Sequence, residues 1–181
     1  MNKRLLHYYR VPFLISLTLA IALLAVSVTR EAVDIGLVFA GSLVGTFFLD
    51  LEYIIHAFFL EPETNFSKTF SAFIKHKDFA NAAGFLQVHK GEIPDKTLNS
   101  ALFQVIFAGF TIFVVSSTRQ IFVRALVISV LANSLYRLME AKYEGHLAEW
   151  FWALKETPNK QSVGLYIFGI LAVLVYCINI F

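Results

Sequence analysis

An all-α, polytopic integral membrane protein is the fold class this sequence predicts, with about five transmembrane helices, a cytoplasmic amphipathic helical segment and a short interfacial Trp-rich helix. Three observations carry that expectation. Of the 181 residues, 57% are hydrophobic and only 15% are charged, against about 45–50% and about 25% in soluble domains. Five apolar segments, roughly 11–29, 35–60, 98–118, 120–139 and 162–181, are each long enough to cross about 30 Å of hydrocarbon at about 1.5 Å per residue. The basic residues between them fall almost entirely on one side of the implied membrane. Together these features predict a single membrane domain over 1–181, with segments 61–97 and 140–161 on the cytoplasmic side. A net charge of only +2 excludes the electrostatic footprint of a nucleic-acid binder. The lone Cys177 excludes an intramolecular disulfide and leaves a zinc–thiolate site without partners.

The first span opens as "VPFLISLTLAIALLAVSVT", where Pro12 suits an initial helical turn because its missing N–H is not needed there. Hydrophobic regions of signal peptides run only about 7–15 residues, so this longer run predicts a retained anchor. Lys3, Arg4 and Arg10 precede it. Lys68, Lys75, Lys77, Lys90 and Lys96 lie in 61–97, and Arg137, Lys142, Lys155 and Lys160 in 137–161. The opposite loops hold only Arg30 and Arg119, while Arg124, one turn into the fourth span, is expected to snorkel outward. The positive-inside bias therefore predicts a cytoplasmic N-terminus and an external C-terminus.

Between the second and third spans, Phe66, Phe70, Phe73 and Ile74 recur at helical spacing with lysines between them. That pattern suits an interfacial amphipathic helix or helical hairpin, whose lysines would draw anionic headgroups and make the lipid bilayer the expected partner. In "HLAEWFWAL", 146–154, Trp150 and Trp152 are expected at headgroup level. "TPNK", 157–160, then interrupts the chain before the last span.

The second span raises a chemical question, because "GTFFLDLEYIIHAFFL", 45–60, sets Asp50, Glu52 and His56 among bulky apolar residues. On a helix turning about 100° per residue, Glu52 and His56 fall within about 40° of one another, and Ser42, Gly45, Thr46 and Tyr53 share their arc. Leucine, isoleucine and phenylalanine occupy the other side, so the polar groups are aimed inward. Gly41 and Gly45, four residues apart, would let another helix come close. The fourth span offers a matching stripe of Asn133, Tyr136, Arg137 and Glu140, and the third opens with Asn99 and Ser100, with Gln104 on the face of Ser100. Under the predicted orientation Asp50, Glu52, Tyr53, His56, Asn99, Ser100, Gln104, Asn133, Arg137 and Glu140 all gather in the cytoplasmic half.

Two chemistries fit such a cluster. An ionised side chain costs about 2.5–3.5 kcal/mol at a helix centre unless it is paired, so Arg137 with Asp50 or Glu52 would form a buried ion pair holding helices in register. Alternatively, Glu52 and His56, with Asp50 as a third ligand, could hold a divalent metal. Ser100 with His56 is a conceivable nucleophile and base, although no Gly-x-Ser-x-Gly elbow surrounds it. His76, His89 and His146 lie on the cytoplasmic segments, where solvated roles are expected.

In order, spacing and topology, residues 41–140 resemble the bacterial membrane-bound metal-dependent hydrolase family. Its members carry Asp-x-Asp-His at the end of one span, a His near the start of a later one, and a His followed by an Asp in the next. Asp50-Leu51-Glu52-Tyr53 stands at the first motif, Asn99-Ser100 at the second, and Asn133 with Arg137 at the third. The resemblance implies a small helical protein of the bacterial inner membrane. The replacement of imidazoles by Tyr53, Asn99 and Asn133, and of a carboxylate by Arg137, implies that the metal is lost and that a guanidinium fills its electrostatic place. No cofactor is then expected. The implied role is a non-catalytic scaffold or subunit, working with a protein partner or a second copy of itself. The alternative is a metal-dependent hydrolase that uses Asp50, Glu52 and His56 on a lipid or phosphate-containing substrate at the cytoplasmic face. Transport is disfavoured, since five spans without an internal repeat give no path across.

Overall fold

A computed structural model of the chain describes residues 3–27, 31–89, 93, 96–154 and 156–181. Among them the regular structure is entirely helical: α1 (Lys3–Val26), α2 (Ala32–Phe48), α3 (Leu51–Ile55) running into a π-helical turn (His56–Leu60), α4 (Asn65–Lys75), α5 (Phe79–His89), α6 (Ala101–Ser117), α7 (Ile121–Glu144), α8 (Leu147–Trp150) and α9 (Lys160–Asn179). Three of these, α1 from Tyr9 to Val26, α7 and α9, are long and apolar enough to span a membrane. The pair formed by α2 and the segment Leu51–Leu60 makes a fourth if it is one bent span. At 17 residues, α6 is somewhat short, about 25 Å at about 1.5 Å per residue.

The second apolar segment is not the single straight helix expected from its sequence. It bends by 47° at Leu49 and Asp50, where α2 ends and α3 begins. Asp50 occupies the N-cap position of α3 but makes no capping bond, because its carboxylate is turned toward Arg137 and Tyr9 instead. A second departure follows at His56, whose carbonyl accepts the Glu61 N–H at 3.0 Å in the wider π pattern. A uniform helical wheel therefore does not hold across 45–60.

The most deeply packed element is α7, with Ala125, Ile128, Val130, Leu131 and Leu138 fully buried. Along it lies α2, and the expected close approach at its glycines is present. A Cβ added to Gly45 would stand 2.7 Å from the Ser129 Cβ and 2.9 Å from the Leu126 carbonyl oxygen, and one on Gly41 would run into the Phe122 carbonyl. Around this contact the main apolar core gathers Leu19 and Leu23 of α1, Val38 of α2, Phe107 and Ala108 of α6, and Ile170, Leu174 and Cys177 of α9.

A second core joins Tyr53 and Ala57 to Phe66, Phe70, Ala82, Leu86 and Ile93. The segment formed by α4 and α5 is thus a helical hairpin, turning where Lys77 takes a positive φ of 57°. Its Phe66 and Phe70 seal against the protein, whereas the amphipathic pattern had suggested a face for lipid; Phe79 and Val88 are the large apolar side chains this hairpin leaves exposed. A third core buries Trp150 and Phe151 against Leu138 and Val163. Trp150 is therefore a packing residue and not a headgroup anchor, while Trp152 is exposed and donates its indole N–H to the Lys96 carbonyl at 3.0 Å. Gly145 ends α7 in the left-handed conformation, φ 83°, which a residue without Cβ adopts cheaply. Arg124 reaches from the first turn of α7 to the last residues of the chain. Its guanidinium bonds to the Ile180 carbonyl and lies 4.8 Å over the Phe181 ring, setting a cation at the electronegative C-terminal end of α9.

Candidate functional site

The turn between α2 and α3 delivers the Asp50 carboxylate to the flank of α7. There Arg137 donates from Nη2 to Oδ1 at 2.9 Å, and the Tyr9 hydroxyl donates to Oδ2 at 2.8 Å. Glu140, one turn further along α7, lies 3.4 Å from Arg137 Nη1. Both Asp50 and Arg137 are 8% exposed, so the pair is shielded from water and links α1, the α2–α3 turn and α7. Of the two partners open to Arg137 from sequence, Asp50 is the one that takes it. Tyr9 was missing from the expected cluster. Its only signal in the sequence was its place immediately ahead of the first span.

Glu52 serves a different helix. Its carboxylate accepts the Leu98 N–H at 2.8 Å, the Asn99 N–H at 3.2 Å and the Asn99 side-chain amide at 2.7 Å. That amide also donates to the Leu49 carbonyl at 3.3 Å. Glu52 therefore holds the chain entering α6, where a carboxylate near backbone N–H groups is electrostatically favoured. Ser100 is the N-cap of that helix: its Oγ accepts the Phe103 N–H at 3.3 Å and donates to the Thr97 carbonyl at 2.6 Å. This corrects its reading as a nucleophile for His56. His56 faces another way, its ring edge-on to Phe66 with centroids 6.1 Å apart and its Nε2 3.9 Å from Glu61. The expectation that Glu52 and His56 would converge on one cation is thus not met.

Asn133 sits with a hydroxyl network between α1, α2 and α7. Its amide donates to Ser16 Oγ at 3.0 Å and to the Ser129 carbonyl at 2.9 Å, Ser129 Oγ donates to the Ser42 carbonyl at 2.6 Å, and Ser16 and Thr46 share a hydrogen bond of 2.7 Å. Ser16, at 0% exposure, was a second omission, since a lone serine in an apolar run gives no directional signal. Gln104 accepts the Tyr166 hydroxyl at 2.8 Å. The predicted single cluster is therefore divided among several interhelical contacts.

As arranged, these donors do not suit a divalent metal. Both Asp50 oxygens and both Glu52 oxygens already accept hydrogen bonds, and the nearest charge to Asp50 is a guanidinium. Among the described residues no group of three or more His, Cys, Asp or Glu side chains is disposed to hold a metal ion.

Beside this network lies a cavity of 480 Å³, walled in part by Tyr53, Asn99, Arg137, Glu140 and Trp150. Its rim is tied by Glu149, which accepts from Lys96 Nζ at 3.1 Å and from His146 Nδ1 at 2.7 Å. Burial pushes the Glu149 carboxyl up, but the hydrogen bonds from Lys96 and His146, with their charges, outweigh it and hold the group below its usual range.

No protein-family model, no curated protein and no solved structure matches the chain.

Proposed function

We propose that the chain is a non-catalytic polytopic protein of the bacterial inner membrane, a metal-depleted relative of the membrane-bound metal-dependent hydrolases that acts as a scaffold or as a subunit of a larger assembly. The observation that carries this reading is the closed Asp50–Arg137 pair, capped by Tyr9. In a site built for a divalent cation the carboxylate would turn its lone pairs to a metal. Here a fixed guanidinium supplies the positive charge, and the remaining carboxylate, Glu52, is engaged in positioning α6. The polar residues then act by holding helices in register.

The topology that accompanies this proposal has α6 as a fifth span, the N-terminus in the cytoplasm and the C-terminus outside. Support comes from the packing of α6 against α7 and α9 and from the charge bias of the loops. Lysines of 61–97 would meet anionic headgroups in this arrangement.

Elemental analysis of untagged protein, purified without chelator, tests the proposal. The expected result is no stoichiometric transition metal, together with loss of folded protein in Arg137→Ala. Near one equivalent of zinc, manganese or iron, lost in Glu52→Gln, would overturn it in favour of a metal-dependent hydrolase acting on a lipid or phosphate-containing substrate.

A further inference from the structure

The described chain packs as two bodies, and the cavity lies between them. The main core gathers α1, α2, α6, α7 and α9, whereas Tyr53 and Ala57 share a separate core with the α4–α5 hairpin. Tyr53, Gln87 and Val88 of that second body wall one side of the 480 Å³ cavity, and Glu140, Ala141 and Glu144 of α7 wall another. A rotation of one body against the other therefore changes the width of the cavity.

Two interruptions of helical backbone lie at the level where the bodies join. The first is the 47° bend after α2. There the Asp50 and Tyr53 N–H groups reach back only three residues, to the Phe47 and Asp50 carbonyls at 3.1 Å each, and the Leu49 carbonyl accepts the Asn99 amide at 3.3 Å. No glycine or proline stands between Phe47 and Tyr53, the usual causes of a sharp kink. Side chains flank the bend instead: Asp50 bonds to Arg137 and Tyr9, and Glu52 to the Leu98 and Asn99 N–H groups.

The second interruption is Pro12, which lies inside α1, since that helix begins at Lys3 and not at the proline. A proline within a helix offers no N–H to the carbonyl four residues earlier. The two interruptions are level with one another. Phe13 packs edge-on to Phe47 with ring centroids 5.6 Å apart, and the Tyr9 hydroxyl reaches Asp50 at 2.8 Å. The pairs Ser16–Thr46, Phe13–Phe47 and Tyr9–Asp50 show that α1 and α2 run antiparallel. The backbone of α1 ahead of Pro12 thus continues toward the side of α3, and α5 packs against α1.

We propose that α3, the π turn, α4 and α5 form a lid that turns on the bundle about Pro12 and Leu49–Asp50, widening and narrowing the cavity, with the Asp50–Arg137–Tyr9 and Glu52–Asn99 contacts as the latches that set its angle. Hinges of this kind need only a few residues at the ends of elements to absorb the rotation. Leu51–Leu60 makes a lever of about 15 Å at about 1.5 Å per residue, so a turn of about 15° moves its far end by about 4 Å.

Double electron–electron resonance on the full chain in detergent, in a Cys177→Ala background, tests the lid. Labels at Thr69→Cys and Tyr143→Cys, both exposed positions, span the lid and the bundle. Labels at Tyr143→Cys and Gln161→Cys, also exposed, stay within the bundle. Releasing a latch should displace the Thr69–Tyr143 distance by about 4 Å and leave Tyr143–Gln161 unchanged. Tyr9→Phe keeps the ring that packs on Phe13 and Phe47, so it releases the latch with little harm to folding, as does Glu52→Gln; Asp50→Asn should give the largest displacement. Pro12→Ala restores the missing donor and should reduce the displacement seen in Tyr9→Phe. An unchanged Thr69–Tyr143 distance in all three latch variants would overturn the proposal. Equal shifts in both label pairs would overturn it too, because the bundle itself would then have loosened, and a displacement indifferent to Pro12→Ala would rule out the pivot in α1. Metal content reports on the scaffold reading independently of these distances.

Discussion

Removing the Arg137 guanidinium should be among the most damaging single changes available in this protein. Arg137→Ala leaves the Asp50 carboxylate, 8% exposed, with the Tyr9 hydroxyl at 2.8 Å as its remaining hydrogen bond across the helices. Breaking a buried ion pair by removing one partner costs about 3–5 kcal/mol, because the other charge stays buried and uncompensated. The Tyr9 bond persists, so the lower part of that range is expected. Asp50→Asn should cost less, about 2 kcal/mol, since Arg137 keeps Glu140 at 3.4 Å and an amide oxygen can still accept. In Asp50→Asn/Arg137→Ala neither charge of the pair is stranded, and the double variant should cost about 2 kcal/mol less than the sum of the singles. Reversible unfolding in mixed detergent and SDS micelles, followed by far-ultraviolet circular dichroism, measures all three. A cost below about 1 kcal/mol for Arg137→Ala, the range of an exposed pair, would refute the reasoning. So would singles that add to within about 0.5 kcal/mol.

Gly45→Ala should destabilise by about 1–3 kcal/mol through overpacking against Ser129 and the Leu126 carbonyl, whereas Gly36→Ala, with open space at its Cβ, should be neutral or slightly stabilising in the same assay. Glu52→Ala strands the N–H groups of Leu98 and Asn99 at about 1–3 kcal/mol for each buried donor, and Glu52→Gln should cost less because one oxygen remains. Faster hydrogen exchange at the start of α6 in Glu52→Ala would report that loss directly. Glu149 predicts a pH dependence. Its carboxyl is held below the ordinary 4.5 in the folded protein, so its contribution is fully present above that value and is lost as pH falls through the depressed one. Glu149→Gln should therefore be less stable than wild type at neutral pH, and the two unfolding midpoints should converge as pH falls through the depressed value; a gap that stays constant on acidification would count against the Lys96–Glu149–His146 tie.

How far the site could be read in advance follows from the range of each signal. Hydrocarbon tolerates few charges, so Asp50, Glu52 and Arg137 stood out in apolar runs, and their pairing could be anticipated from sign alone. Hydroxyls are less conspicuous. Tyr9 and Ser16 fit a span whether they face lipid, water or protein, and nothing near them in sequence marks them as partners of Asp50 and Asn133. The helical wheel placed Glu52 and His56 one turn apart on the same helix, and the His56 N–H does bond to the Glu52 carbonyl. What it could not give is the partner of each side chain: Glu52 turns to Leu98 and Asn99, and His56 to Phe66 and Glu61. In 66–90 the phenylalanine spacing identified a helix correctly, but periodicity gives the direction of an apolar face and not its occupant. Here the occupant of the Phe66–Phe70 face is Tyr53 and Ala57.

By itself the sequence determined that this chain is helical, that several of its helices are apolar enough for a membrane, and that glycines at 41 and 45 mark a close helix contact. Those properties depend on composition, length and local spacing, which a linear chain displays openly. Tertiary structure alone decided that Arg137 takes Asp50 and not Glu52, that Glu52 holds the start of α6, and that Trp150 is buried beside a cavity. Each of these depends on which element packs against a side chain, and that is fixed by residues distant in sequence. Asp50 at the turn and Glu52 two residues on face different neighbours, α7 and the chain entering α6, and only the packing of those helices assigns a partner to each carboxylate.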